Sequence, residues 1–130
     1  MSTFRLSFTV RDYECDLQGI VNNAVYQNYL EHTRHEFLKS KGLDFAKFFD
    51  EGVSLVLYRV EIDYKSSLKS GDSFICELSG ELVSDLRVMF KQKIVRTSDD
   101  KLIVDAKVYA TGIGPNKRPC MPSEVKNLFL

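Results

Sequence analysis

The stretch Val10–Leu38 reads VRDYECDLQGIVNNAVYQNYLEHTRHEFL. It enters from a period-two segment in which Phe4, Leu6, Phe8 and Val10 alternate with Arg5, Ser7, Thr9 and Arg11, the pattern of a half-buried strand. Asp12 to Gly19 is polar and closes on glycine, so it turns the chain. From Asn23 to Lys41 the period changes. Tyr26, Tyr29 or Leu30, Thr33, Phe37 and Lys41 fall about one turn apart, and Val25 and Leu38 widen the apolar stripe. This predicts a long helix lying on something broad, such as a sheet. Asn22 or Asn23 can cap its start, and Gly42 can end it in a left-handed conformation.

Outward from that stretch, Leu43 to Glu51 reads as a short second helix stopped by Gly52, and the remainder reads as strands. Val53 to Lys65 is rich in Val, Leu, Tyr and Ile. Ser73 to Val83 alternates Phe74, Cys76, Leu78 and Gly80 against polar neighbours. Leu86 to Thr97 carries Val88, Phe90, Gln92 and Ile94 on one side. Leu102 to Ile113 alternates Val104, Ala106, Val108 and Ala110 against Ile103, Asp105, Lys107 and Tyr109. Turns fall at Ser70–Asp72, Ser84–Asp85 and Ser98–Lys101, each short enough for a hairpin, so the sheet is expected to be mainly antiparallel. Pro122 to Leu130 has the pattern of one or two amphipathic turns. Strand, long helix, then four strands gives no βαβ alternation, which excludes a doubly wound parallel sheet. The expected class is α+β, with a five-stranded sheet wrapped around one long central helix.

Composition narrows the function. The 130 residues fit one domain, 1–130. Lys plus Arg and Asp plus Glu are both 18, and this neutral balance argues against general nucleic-acid or membrane-surface binding, which needs a basic excess. No apolar run approaches the roughly 20 residues of a membrane span. The leading segment MSTFRLSFTV lacks a charged start followed by a long apolar run, so no signal peptide is expected. Cys15, Cys76 and Cys120 are odd in number and lack CxxC spacing, which points away from a disulfide framework or a zinc site. A reduced, cytoplasmic protein is the expectation.

Glu14, Cys15, Asp16, Gly19, Ile20, Val21, Asn22, Asn23, Tyr26, Tyr29, Glu31 and Arg34 together form a motif that resembles the 4-hydroxybenzoyl-CoA thioesterase family of hotdog-fold proteins. It is most similar to the family's bacterial acyl-CoA thioesterase group. Ile62, Tyr64, Gly71 and Asp72 form a second match, and Arg118, Pro119 and Pro122 a third. The resemblance implies the wrapped-helix fold, a homodimer joined edge to edge or a homotetramer built from it, and active sites at the dimer interface. It implies a substrate acyl group carried on coenzyme A or on acyl carrier protein, with no metal or redox cofactor. Many relatives have His where Ile20 stands, so any mechanism that needs an imidazole at that turn is excluded here.

Thioester hydrolysis needs a group that attacks the carbonyl or activates water, and a donor for the developing oxyanion. By the resemblance, Asp16 supplies the first and the backbone N–H of Asn23, at the helix start, supplies the second. Read without the resemblance, Asp16 is a turn aspartate accepting local N–H groups, and Asn23 is a helix cap. Glu31 is the rival acid, because another branch of hotdog thioesterases carries its carboxylate on the helix; an i, i+3 ion pair with Arg34 is the favoured reading. Tyr26 lines an acyl pocket or sits in the core. Arg87, Lys91, Lys117 and Arg118 are candidates for the phosphates of coenzyme A, with Arg87 the best positional match. His32 and His35 lack metal-ligand spacing and read as a solvated or interface helix face. Cys15 reads as a small buried residue. Two rival classes remain: a hotdog dehydratase or hydratase, which would want a histidine near the helix start, and a non-catalytic acyl-thioester-binding protein.

Overall fold

The computed structural model describes residues 3–130; Met1 and Ser2, the start of the leading segment, lie outside it. Strand β1 (Phe4–Thr9) leads through a short 3-10 turn into helix α1 (Asn23–Ser40). Helix α2 (Phe45–Asp50) follows, then β2 (Ser54–Tyr64), β3 (Ser73–Ser84), β4 (Arg87–Arg96), β5 (Lys101–Ile113) and a terminal turn of helix, α3 (Ser123–Lys126). The strands form one sheet in the order β1-β3-β4-β5-β2, and every neighbouring pair is antiparallel.

The α+β reading, the five strands and the long helix stand as expected, and one connection is corrected. The turns before β4 and β5 make hairpins. The turn at Ser70–Asp72 does not, because β2 pairs with β5 at one side of the sheet while β3 pairs with β1 near the other. The intervening chain crosses the end of the sheet instead. Leu68 in that crossing is fully buried. Its carbonyl accepts the Val21 N–H at 2.8 Å, and its own N–H donates to the Tyr26 hydroxyl at 3.0 Å. A short, polar connection looks like a hairpin in sequence; the buried leucine within it is what carries it across the start of the helix.

Helix α1 buries Tyr26, Tyr29, Leu30, Thr33, Phe37 and Leu38 against the sheet, as its period requires, and Arg34 with them. It ends on Gly42 at φ +77°, with Leu43 N–H bonded to the Leu38 carbonyl and Gly42 N–H to the Lys39 carbonyl, the Schellman closure that favours glycine. Lys41, placed in the apolar stripe by period alone, is exposed at this cap. The facing layer is Phe74, Cys76 and Leu78 of β3, Val88, Phe90, Gln92 and Ile94 of β4, and Val104, Ala106, Val108 and Ala110 of β5, all buried. The C-terminal segment folds back over one end, where Phe129 packs on Phe37 and Phe90. Gly112 is required there, since a Cβ would lie 1.9 Å from the Cys120 carbonyl oxygen.

The core contains one polar junction. Gln92 donates from Nε2 to the Leu30 carbonyl at 3.0 Å and accepts at Oε1 from Arg34 Nη1 at 2.9 Å. The expected Glu31–Arg34 ion pair is therefore not formed: Arg34 turns inward to Gln92, and Glu31 lies 3.8 Å from His35. Burial pushes the Arg34 pKa below its ordinary value, with the Glu31 charge opposing the shift. Removing Gln92 would take from the buried Arg34 guanidinium its acceptor and from the Leu30 carbonyl its second donor. Gln92→Ala is expected to cost about 3 kcal/mol, read as a lowered urea midpoint with the cooperative transition retained.

Candidate active site

Residues 12–22 form a small closed loop before α1. Arg11 N–H and the Tyr29 hydroxyl both donate to Glu14 Oε1, at 2.8 and 2.9 Å, which ties the loop to the buried face of the helix. Cys15 and Val21 pair as an antiparallel bridge, and Asp16 N–H reaches the Ile20 carbonyl at 2.9 Å. Gly19 takes φ +80° at the tip, a conformation that L side chains rarely adopt. Ile20 bridges to Lys69 of the crossing segment. The loop is thus fastened on three sides: to β1, to α1 and to the crossing.

Asp16 is exposed, and its Oδ1 accepts the Gln18 N–H at 2.8 Å. That bond fixes the side chain as in an Asx turn and leaves Oδ2 without a partner among the described residues. On the returning arm, Asn22 is the N-cap, its Oδ1 accepting Ala24 N–H at 3.0 Å and its carbonyl accepting Val25 N–H at 2.9 Å. Asn23 is the first residue of α1, and its N–H has no acceptor among the described residues. Such a group carries the positive end of the helix dipole. One short loop therefore presents a carboxylate on its outgoing arm and a free helix-terminal donor on its returning arm.

The other sequence-selected residues distribute differently. Tyr26 is in the core, 2% exposed, its hydroxyl occupied by Leu68 N–H and its pKa raised first of all by burial. Glu31 is exposed two turns along α1 and lines a cavity with Arg34, Leu38 and Leu57. His32 and His35 lie on the exposed helix face within 4 Å of Glu36 and Glu31. Cys15 is half-buried against the core. Arg87 opens β4 and stacks over the Tyr58 ring at 4.8 Å. The far end of the same strand, Arg96, donates to the Ser67 carbonyl beside the Asp16 loop. Within one chain, Arg87 is thus the length of a strand, roughly 30 Å, from Asp16. Lys91, Lys117 and Arg118 are exposed.

Sequence reading missed Arg96. Its guanidinium pairs with Asp99 at 2.8 Å and lies 3.8 Å from Asp72, and this bond holds the Asp99 carboxyl down to about 2. Arg96 closes the crossing segment from below. The alternating pattern of β4 gave it no signal beyond a polar strand end. Tyr29 was assigned only to the helix stripe, yet its hydroxyl is the link to Glu14; burial and then that carboxylate push its pKa above the usual phenol range.

Compared with known proteins, residues 10–129 match the family model described as the thioesterase-like superfamily. The chain belongs to this superfamily. Thioester hydrolysis is accordingly its chemistry at the level the superfamily defines. Among relatives, the acyl-acyl carrier protein thioesterase ATL3 of Arabidopsis thaliana is 36% identical over 132 residues, covering 100% of this chain and 70% of the plant protein. The acyl-CoA thioesterase YbgC of Haemophilus influenzae is 28% identical over 126 residues, covering 95% of this chain and 93% of that protein. The crystal structure of the hypothetical protein AQ1494 of Aquifex aeolicus superposes with a TM-score of 0.89 at 31% identity, over 98% of this chain and 99% of that one. The architecture of this superfamily member is the hotdog fold expected from its motifs.

Removing the Tyr29 hydroxyl tests how firmly α1 holds the loop. Tyr29→Phe keeps the ring contacts and deletes the bond to Glu14, with an expected cost of about 1–2 kcal/mol for the half-buried carboxylate left with one donor. Amide exchange should quicken at Glu14 to Val21 more than in β3 or β4.

Proposed function

We propose that this chain hydrolyses acyl-CoA thioesters, with Asp16 as nucleophile or general base and the Asn23 N–H polarising the thioester carbonyl. The observation that carries the reading is the loop itself, which presents a carboxylate with one free oxygen and an unpaired helix-terminal N–H on its two arms. As general base, Asp16 takes a proton from water while the water oxygen bonds to the carbonyl carbon. The oxyanion is met by the Asn23 N–H. The C–S bond then breaks, the thiolate takes a proton, and a carboxylic acid and free thiol leave. As nucleophile, the same carboxylate forms an anhydride that water opens. The half-buried side chain at position 20 is isoleucine, so the scheme runs on a carboxylate alone and disfavours the dehydratase reading.

The active unit on this proposal is a homodimer, or a tetramer built from it, with residues 1–130 of each copy acting as one catalytic domain. Support comes from the sheet edge. Val56, Leu57, Tyr58 and Val60 of β2 are between 36% and 47% exposed on a strand with no neighbour on its outer side, and beside the Arg59–Glu61 ion pair they leave an apolar edge with backbone groups open to a further strand. A second copy on that edge would also raise a wall beside the Asp16 loop, where Leu17 is fully exposed. Arg87 would have to serve coenzyme A phosphates from such a copy. The three thiols are unpaired, which supports a reducing, cytoplasmic setting. No described helix is long and apolar enough to cross a membrane.

Acyl carrier protein is the second carrier to consider, favoured by the 36% identity to a plant acyl-acyl carrier protein thioesterase. Thiol release from matched acyl-CoA and acyl carrier protein esters decides between the two. A non-catalytic binder would release thiol from neither. Asp16→Asn is expected to fold normally and lower kcat by about 10²–10⁴-fold; full turnover by this variant defeats the assignment. Light scattering should give at least twice the chain mass of 14.9 kDa, and a fully active species at single-chain mass would contradict the shared site.

A further inference from the structure

The segment that crosses from β2 to β3 is held at both ends by backbone bonds. The Lys65 and Ser66 N–H groups donate to the Ile103 carbonyl of β5, and Gly71 N–H and the Asp72 carbonyl pair with Val10. Its middle is held by side chains and by the start of α1. The Ser67 carbonyl and the Leu68 N–H belong to one planar peptide group. Arg96 Nη1 donates to that carbonyl at 3.2 Å, and the N–H donates to the Tyr26 hydroxyl at 3.0 Å. The next peptide group joins Leu68 to Lys69. Its carbonyl accepts Val21 N–H at 2.8 Å, and its N–H donates to Asp72 Oδ2 at 2.9 Å. That oxygen lies 3.8 Å from Arg96 Nη1. Each plane therefore has one end on the approach to α1 and the other on the Arg96 side.

Arg96 is itself fixed. It closes β4, and its Nε and Nη2 donate to the two carboxylate oxygens of Asp99 at 3.0 and 2.8 Å, a bidentate fork that sets the plane of the guanidinium. Asp99 stands in the β4–β5 turn, where its Oδ1 also accepts Lys101 N–H at 3.2 Å. The hairpin thus aims the remaining arm, Nη1, at the crossing. A cation on the Ser67 carbonyl polarises the peptide group and strengthens the donor at its other end, the Leu68 N–H. Val21 carries the hold onward to both arms of the site. It bridges to Cys15, the neighbour of Asp16, and stands two residues before Asn23.

We propose that Arg96 is a positioning residue for hydrolysis at the Asp16 loop: by holding the two peptide groups around Leu68 it fixes the direction of the Asn23 N–H. This rests on the thioesterase reading of that loop. Arg96 makes no hydrogen bond to residues 12–23 among the described residues, so it takes no part in bond making. Its effect is on how well a backbone donor meets the oxyanion. Charge develops there after the substrate is bound, so the loss on removing Arg96 falls on kcat rather than on KM.

Thiol release from acyl-CoA and acyl carrier protein esters and amide hydrogen exchange, both on the full chain well below its unfolding temperature, test the assignment. Arg96→Met is expected to lower kcat about 10- to 100-fold with KM changed less than about threefold. The same variant should quicken exchange of the Val21 amide about tenfold or more and leave the Gln92 amide of β4 unchanged. Asp99→Asn loosens the guanidinium without touching the crossing. It should move the same two readouts less, and it carries the test if Arg96→Met does not fold. Lys126→Met removes the ion pair to Asp85 at the other end of β4 and should leave kcat and Val21 exchange at wild-type values. Wild-type kcat in the Arg96 and Asp99 variants overturns the proposal, because a guanidinium that only stabilised the fold would lower the urea midpoint and not the turnover of folded protein. A loss confined to KM, or faster Val21 exchange at unchanged kcat, overturns it as well; in each case turnover by the wild type leaves the hydrolase reading standing. No thiol release by the wild type from any ester defeats the hydrolase reading. Val21 exchange then decides the hold alone: a faster rate in Arg96→Met supports it, and an unchanged rate defeats it.

Discussion

Both peptide groups around Leu68 are committed to the start of α1: its N–H to the Tyr26 hydroxyl, its carbonyl to the Val21 N–H. The side chain between them is fully buried, so this anchor cannot shift without opening the core. It fixes where the helix begins relative to the sheet. The candidate site is positioned from that point, because the free Asn23 N–H is the first donor of the helix and the Asp16 loop closes against the same crossing through Ile20 and Lys69. An oxyanion donor is useful only if it does not move when charge develops. A backbone N–H one residue past a cap, with the preceding strand arm bonded to a buried leucine, meets that requirement better than a side chain would.

The long helix was legible because its buried residues recur at helical spacing and its ends carry Asn22 and Gly42, whose side-chain acceptor and left-handed backbone are local properties. The alternation of β3, β4 and β5 was legible for the same reason, down to Gln92 on the buried side of β4. What escaped was decided by distant partners. The Ser70–Asp72 turn gives no sign that its flanking strands lie apart in the sheet. The i, i+3 spacing of Glu31 and Arg34 offers an ion pair, but a buried glutamine carbonyl oxygen on β4 draws the guanidinium inward. The candidate site was legible as a motif and not as a geometry: Asp16 stands in the loop that leads into Asn23 at the helix start, whereas Tyr26, at an equally suggestive position, is consumed by holding Leu68.

Burying Arg34 on a neutral partner carries a desolvation penalty that an apolar residue would avoid. Stability alone therefore gives no reason for it, and the neighbouring thiol shows how dry the region is: burial pushes Cys76 up to about 11. The residues around the junction are otherwise those of an ordinary core, Leu30, Phe90 and Ala106. A guanidinium held there by Gln92 is oriented, since one of its arms is fixed and the rest of its planar fork follows. The Glu31 charge opposes the desolvation from the same helix face, and the Gln92 oxygen fixes one arm of the fork.

The polar groups at Asn23 and at Arg34 are set by different physics. At Asn23 the polarity comes from the backbone and is there whatever the side chains are; at Arg34 it comes from one side chain and can be changed by substitution. Substitution at Leu57 or Ala110 alters the cavity beside Arg34 and leaves the backbone donor at the helix start as it is, because both side chains line that cavity and neither belongs to the Asp16 loop. The exposed β2 edge adds a constraint. A second copy paired on that edge would take Val56, Leu57, Tyr58 and Val60 out of water. Pairing there would satisfy the outer N–H and C=O groups of β2 and bury its apolar side chains in the same step, so hydrogen bonding and the hydrophobic effect would favour association together.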